Sequence, residues 1–519
     1  MKFCLLYWII SISIVSIHKV TAQDSLFRTA TEFGLIQELN SYLQTNQPVG
    51  YGKIDKKGIR FDYRFDQEMG KFYPINQARE NIHHKISLEG YDKINKVNLY
   101  GKASYSISDL KQQKWNNVLF VNPHNPFTLG DSTGGDYDRE IFSMEGAVIT
   151  SINQDESLTV GLFGKYSAGN NADQTDPRPL MNAIRYTIRP GVTYEKNNWL
   201  FGANLTYEGY RENISISSVN SNWVHHFFLF QGLGNAISRT GTGYSRRYDG
   251  NGVGGDLQIA YNTGRLDNIV EIGYLRNKES ARDGSVSSFF KAGNFEESSY
   301  HIANIASFRQ DKQTTHQLHL KGDYNPTKGI WFDQIQMVDG NAQHIWQVYN
   351  QSVKHKENTV SADFKYVFWR KAADLDNSYI LSLSGKYRNS ETNHYPEGYF
   401  QKYATLFTQL NAKKWFKLKD ITHLVVAANA GYRSAISKQS DFAGIQLNDL
   451  YSYPLYDYLT AEFWQAQLSV ELNRRLNLNG FSLRMFIVPS FNYIQTLNDT
   501  PSFRQKDRSR FEIAVGFIF

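Results

Sequence analysis

Along much of this chain apolar and polar residues alternate with a period of two. Leu158, Val160, Leu162, Gly164 and Tyr166 share one face of an extended segment, with Thr159, Gly161, Phe163, Lys165 and Ser167 on the other. The same holds for Trp199, Phe201, Ala203, Leu205 and Tyr207 against Gly202, Asn204, Thr206 and Glu208. Val360, Ala362, Phe364, Tyr366 and Phe368 oppose Thr359, Ser361, Asp363 and Lys365. Trp464, Ala466, Leu468, Val470 and Leu472 oppose Gln465, Gln467, Ser469, Glu471 and Asn473. Period two means β-strands. The strands are long against the five or six residues typical of soluble folds. Most apolar faces carry Tyr, Trp or Phe near a strand end, where a membrane barrel places its aromatic girdles. The pattern predicts an all-β fold, a transmembrane antiparallel β-barrel, rather than a soluble sandwich or propeller.

The connections alternate in length. Short turns fall at Asp92–Asn95, Asn153–Glu156, Lys196–Asn198, Gln310–Lys312, Lys417–Asp420 and Asn477–Gly480. Long polar stretches fall at 110–139, 169–180, 213–250, 278–297, 390–400, 435–458 and 497–507. Outer-membrane barrels have short periplasmic turns and long extracellular loops, so the long set is assigned outside. Parity fails only between 326 and 376, where a separate strand over Ile330–Val338 restores it. The count is then about 16–20 strands, an even number for a single-chain barrel.

The two ends of the chain point the same way. Phe511, Ile513, Val515, Phe517 and Phe519 share one face of a final strand whose last residue is aromatic. That ending resembles the insertion signal read by the outer-membrane assembly machinery. At the start, Lys2, an apolar run over Phe3–Ile17 and the small residue Ala22 read as a cleaved signal peptide, residues 1–22. Residues 23–48 form a periplasmic or lumenal segment, and 49–519 the barrel. Phe33, Leu35, Ile36, Leu39 and Leu43 in the short segment have helical spacing. It would sit on the periplasmic rim, plug the lumen, or serve as a loose lead-in.

Composition agrees with export into a membrane. The single cysteine, Cys4, lies in the signal, so the mature chain would have no disulfide or thiolate chemistry. Mean hydropathy is −0.49, yet the chain holds 33 Tyr, 33 Phe, 9 Trp and 38 Gly. A barrel needs that mixture, since only half its strand residues meet lipid. Net charge is +6 with both signs interleaved, so no nucleic-acid partner is expected. The expected partners are outer-membrane lipid and lipopolysaccharide, the assembly machinery during insertion, and a surface protein at the loops.

Catalytic motifs are missing. There is no nucleophile elbow, phosphate loop or HExxH, and no catalytic, cofactor-binding or metal site is predicted. His225 and His226 are adjacent and would point apart on an extended chain. Asp131, Asp136 and Asp138 lie in a glycine-rich loop without the spacing of a calcium loop. The stretch Trp223–Gly234 is apolar and aromatic. Its Trp223, Phe227, Phe228 and Phe230 are the candidate ligand or partner site, unless the stretch folds into the barrel mouth or continues a strand. Lys165, Glu208, Asp363, Lys365 and Glu471 fall on inward faces and are the candidate lumen-lining charges.

Two loop sequences carry a resemblance. Pro126 through Asp136 (PFTLGDSTGGD) follows Trp115, and Thr175–Pro179 (TDPRP) precedes a strand that contains Arg189–Tyr194 (RPGVTY). Together they resemble an uncharacterised family of outer-membrane barrels of the Bacteroides type, domain of unknown function 6850. The resemblance implies the barrel and its membrane, and no catalytic residues or substrate. The prolines of the second loop should stiffen it, with Arg178 available to a loop carboxylate. The expected function is a channel or transporter for a small or medium solute. The alternative is a binding or assembly component acting through its loops.

Overall fold

The computed structural model describes residues 29–519 apart from 55, 221, 223, 285–288, 339, 341–343, 373–377, 420, 479–480 and 498–499. The expected signal peptide, residues 1–22, lies outside the described residues. In chain order the strands are β1 (Gly58–Gly70), β2 (Glu80–Ile94), β3 (Val97–Gln113), β4 (Leu129–Asp131), β5 (Gly135–Ser151), β6 (Leu158–Asp173) and β7 (Arg178–Lys196). There follow β8 (Trp199–Ser217), β9 (His225–Gly232), β10 (Asn235–Gly241), β11 (Gly243–Asn262), β12 (Leu266–Asp283), β13 (Phe290–Arg309) and β14 (Thr314–Val338). The last are β15 (His344–Arg370), β16 (Tyr379–His394), β17 (Phe400–Lys419), β18 (Thr422–Asp441), β19 (Phe463–Leu478), β20 (Phe481–Thr496) and β21 (Asp507–Ile518).

Among the described residues, 18 of these strands form one sheet, and β4, β9 and β10 form a second, three-stranded one. The large sheet closes on itself. β1 pairs with β2 on one side and β21 on the other, from Arg60↔Ile518 to Gly70↔Arg508. All its pairings are antiparallel, so the protein is a closed 18-stranded antiparallel β-barrel. No helix among the described residues is long and apolar enough to cross a membrane.

The alternation in sequence becomes inside and outside. Leu205 is 69% exposed on the outer surface, while its neighbours Asn204 and Thr206 are 6% exposed. Outward aromatics cluster near the turn end, where the Trp199 and Tyr261 rings lie 4.7 Å apart. Others form a higher row, Tyr274, Tyr300 and Tyr324, at 5.0 and 6.1 Å. On β8 the interval from Trp199 to Tyr207 runs about 26 Å along the strand at about 3.3 Å per residue, or about 20 Å in height at a tilt of about 40°, which fits within a barrel's apolar band. Above it the outward positions turn ionic. Arg211 pairs with Asp249, and Arg276, Lys278 and Lys328 surround Glu296. On β21, Phe511 and Phe519 are exposed on the outer face, and Ala514 and Ile518 are buried inside.

Two sequence expectations are corrected. Ile330–Val338 is not a separate strand but the upper part of β14, paired through Val338↔His344 with a similarly long β15. Much of the expected loop sequence is also strand. β6 ends at Asp173 and β7 begins at Arg178, and β8 and β11 pair as far as Ser217↔Gly243. The ladders continue above the membrane because their inner faces still cover apolar surface there: Met181, Ile214, Ile216 and Tyr248 are all buried. An inward apolar face above the lipid looks, in sequence, like a break in the pattern.

Candidate functional site: the occluded lumen

Residues 29–54 lie inside the barrel at the turn end. Helix α1 (Ala30–Leu39) starts at Thr29, whose side chain accepts from the Glu32 amide at 2.9 Å. Its other first-turn donors are taken by the wall. Ala30 donates to Asn473 at 3.1 Å, and Thr31 donates its amide and hydroxyl to Glu471. A carboxylate at this position also complements the helix dipole. Phe33 packs on Tyr91 with centroids 5.6 Å apart. Leu35 is buried with Val367, Ile380, Trp415 and Val425. The helix end is held by Glu38, which contacts Lys365 at 2.9 Å and Lys413 at 3.0 Å.

The segment then crosses to the opposite wall. Tyr42 donates to Asp267, and the Asn46 amide donates to Glu271 at 3.0 Å. Gln47 donates to the carbonyls of Val192 and Ala203, and Arg189 donates to the Asn46 carbonyl. A short 3-10 turn, Pro48–Lys53, rests on a strip cleared by glycines. A Cβ at Gly191 would meet Gln47 at 2.1 Å, and one at Gly161 would meet Val49 at 3.2 Å.

Glu38 provides a pH test of this docking. Burial opposes its ionisation, but Lys413 and Lys365 hold its pKa down to about 2 from an ordinary 4.5. Its contribution is therefore present above about 4.5 and lost as pH falls toward 2. Because the side chain is about one-third exposed, we discount it for solvent and expect about 1–2 kcal/mol. Glu38→Gln should loosen the segment at neutral pH and remove that acid dependence, measured as protease cleavage within residues 29–54. Unchanged cleavage would refute the contribution.

Three connections form the main part of the cover at the loop end. The first, residues 114–134, runs along the inner wall with its polar groups held by four glutamates. Leu119 and Phe120 donate their amides to Glu212 at 2.6 and 2.8 Å. Asn125 and Asn122 donate side chains to Glu279 and Glu297. His124 contacts Glu357 at 3.2 Å. Burial alone would lower the His124 pKa, but Glu357 raises it. The second connection forms the hairpin β9–β10, which adds to β4 by Leu129↔Leu229 and Asp131↔Phe227. Buried Arg246 joins the first connection to the wall, just before β4. It donates to Asp283 through Nε and Nη2 at 2.6 and 2.9 Å, and through Nη1 to the carbonyls of Phe127 and Thr128.

The third connection holds helix α2 (Tyr453–Thr460). Phe230 meets Tyr451 at 4.7 Å and Phe228 meets Trp115 at 5.3 Å. Ser452 donates to the Leu233 carbonyl.

The residues singled out from sequence fall into two groups. Phe227, Phe228 and Phe230 are 1%, 8% and 3% exposed, so a partner would reach them only if the cap unpacked. Trp223 lies outside the described residues. Lys165 pairs with Glu145 at 2.9 Å, Glu208 accepts from Thr187, and Asp363 faces Lys386 at 3.9 Å. Lys365 and Glu471 instead hold the N-terminal segment. Asp131 accepts from Asn117 and the Gly134 amide as turn chemistry, and Arg178 pairs with Asp176 at 3.1 Å. Sequence reading missed Glu212, Glu279, Glu297, Glu357 and Arg246. Their one signal is alternation, since Glu212 shares a face with Tyr210, Ile214 and Ile216.

The geometry can be set beside known proteins. The model of a family of unknown function, DUF6850, matches residues 54–519. No curated protein matches in sequence. The ferric preacinetobactin receptor BauA from Acinetobacter baumannii is similar over 90% of this chain and 80% of its own, at 8% identity and TM-score 0.41. The siderophore receptor PiuA from the same organism covers 88% and 82%, at 8% identity and TM-score 0.36. A Pseudomonas aeruginosa FadL homologue covers 95% of each chain, at 11% identity and TM-score 0.32. These likenesses concern the barrel fold alone.

Proposed function

Since the chain belongs to the DUF6850 family, of unknown function, we propose its role from the geometry: a gated outer-membrane channel or transporter for a small or medium solute. The loop end faces the exterior and the turn end the periplasm, as short turns and long loops imply. The observation that carries this reading is the segment 29–54. It crosses the lumen without joining the sheet, and hydrogen bonds, ion pairs and apolar packing hold it. Such a plug can leave while every barrel ladder stays intact. The lumen of an 18-stranded barrel is wide enough for an aqueous path once cleared.

The test is planar-bilayer conductance of the folded protein. The intact chain is expected to stay closed or flicker. A chain lacking residues 24–53, with 218–242 replaced by a short turn, is expected to conduct steadily. A folded but silent double deletion would overturn passage, and steady conductance of the intact chain would overturn gating. The second reading, a binding component acting through its loops, is favoured by the ordered cap. It predicts a co-purifying partner that is lost when 218–242 is shortened.

A further inference from the structure

Among the described residues, one mixed cluster has donor atoms all within 4.8 Å of one another: Asp256 on β11, Glu271 on β12 and His301 on β13. The sheet register builds it. Asp256 pairs with Gly273, and Gly273 with His301, so the two side chains flank a glycine in one row. A Cβ at Gly273 would lie 1.9 Å from Asp256 Oδ1 and 2.2 Å from His301 Cε1. Only glycine lets them meet there. Glu271 stands two residues along β12 on the same face, and Asp256 and Glu271 are buried.

A fourth group comes from the plug. The terminal amide nitrogen of Asn46 lies 3.3 Å from Asp256 Oδ1 and 3.4 Å from His301 Nε2. His301 Nε2 is 3.1 Å from Asp256 Oδ1 and 3.5 Å from Glu271 Oε1. With metal–ligand bonds of about 2.0–2.1 Å, the edge of a tetrahedron is about 3.3 Å. Four of the six separations among the groups lie close to that length.

A proton on Nε2 can point at one carboxylate only. Without it, a neutral ring nitrogen faces two carboxylates. A divalent cation satisfies all four groups once the Asn46 amide turns to present its oxygen. One imidazole, two carboxylates and an amide oxygen, with no sulfur, suit a borderline first-row ion.

We propose that Asp256, Glu271, His301 and Asn46 form a binding site for a divalent transition cation of the Zn²⁺ class, which clamps the N-terminal segment to the barrel wall. This goes beyond the sequence reading, which predicted no metal, and does not depend on the passage reading. The test uses untagged, metal-stripped, full-length protein titrated with Co²⁺, then Zn²⁺. One equivalent of Co²⁺ should bind with tetrahedral visible bands, and Zn²⁺ should erase them. His301→Ala should abolish the bands. Gly273→Ala, which leaves every donor in place, and Asn46→Ala should each weaken binding about tenfold or more. Absence of saturable binding by the intact protein would overturn the site. Unchanged affinity in Gly273→Ala would do the same, and unchanged affinity in Asn46→Ala would overturn the clamp.

Discussion

Arg246→Ala should release the β9–β10 hairpin from the barrel mouth at a cost of about 3–5 kcal/mol, the range for breaking a buried ion pair by removing one partner. Arg246 is 2% exposed and Asp283 5%. Removing the guanidinium strands the Asp283 carboxylate with Tyr244 as its remaining hydrogen-bond donor here. It also takes a donor from the carbonyls of Phe127 and Thr128, just before β4. β4 is three residues long and, among the described residues, is the strand that pairs with the hairpin on that side. The barrel itself should survive, because the β11–β12 ladder runs from Arg246↔Asp283 down to Asn262↔Asp267 and needs no guanidinium. Limited proteolysis within 218–242 reads the effect. Arg246→Lys is expected to behave nearly as badly, since an ammonium cannot reproduce the fork. A hairpin as protected in Arg246→Ala as in the parent would refute the anchoring role.

The barrel was readable from sequence because lipid and lumen act on it residue by residue. Outward Leu205 and inward Asn204 and Thr206 differ in environment at every step, and the alternation records it directly. The closing strand was readable for the same reason. Where that two-solvent rule lapses, so did the reading. Above the lipid the inner face of β8 packs Ile214 and Ile216 against the folded loops, while its outer face carries Arg211 and Asn213. The pattern there inverts and reads as loop. The helical spacing of Phe33, Leu35, Ile36 and Leu39 gave a helix, but not its wall contacts. Glu471 and Asn473, which cap that helix, come from the far end of the chain. Leu43 shares the helical spacing yet lies in a separate 3-10 turn, because Asn40 leaves the helical conformation and caps the Tyr42 amide instead. The Asp256–Glu271–His301 row was invisible for a related reason. Only the pairing of three strands makes these residues neighbours, and no local spacing encodes pairing.

The plug and the cap share one kind of contact and differ in another. Both bury apolar side chains, Phe33, Leu35 and Val49 in the plug, and both have main-chain amides taken by buried carboxylates, Thr31 by Glu471 and Asn46 by Glu271. The cap also pairs its backbone, β9 with β10 and β4, whereas among the described residues the plug pairs with no strand. That difference makes the plug the easier element to displace.

Phe33→Asp combined with Leu35→Asp should therefore expel the segment while leaving the barrel folded. Phe33 and Leu35 are buried. Each substitution forfeits about 1.5–3 kcal/mol of apolar burial. Each also asks a carboxylate to enter an apolar site, which it avoids by leaving for water. The combined penalty exceeds the about 1–2 kcal/mol that the Glu38 pairs return, so those pairs should not retain the helix. Cleavage within residues 29–54 is expected to rise to the level of a free peptide, with the barrel's resistance unchanged. In a chain whose 218–242 loop has been shortened, the double substitution should reproduce the conductance of the plug deletion. Protection equal to the parent's would mean that the remaining contacts, the polar ones together with Val49 and Tyr51, suffice to dock the segment. Loss of the folded barrel would mean that the segment is needed for assembly and is no removable gate.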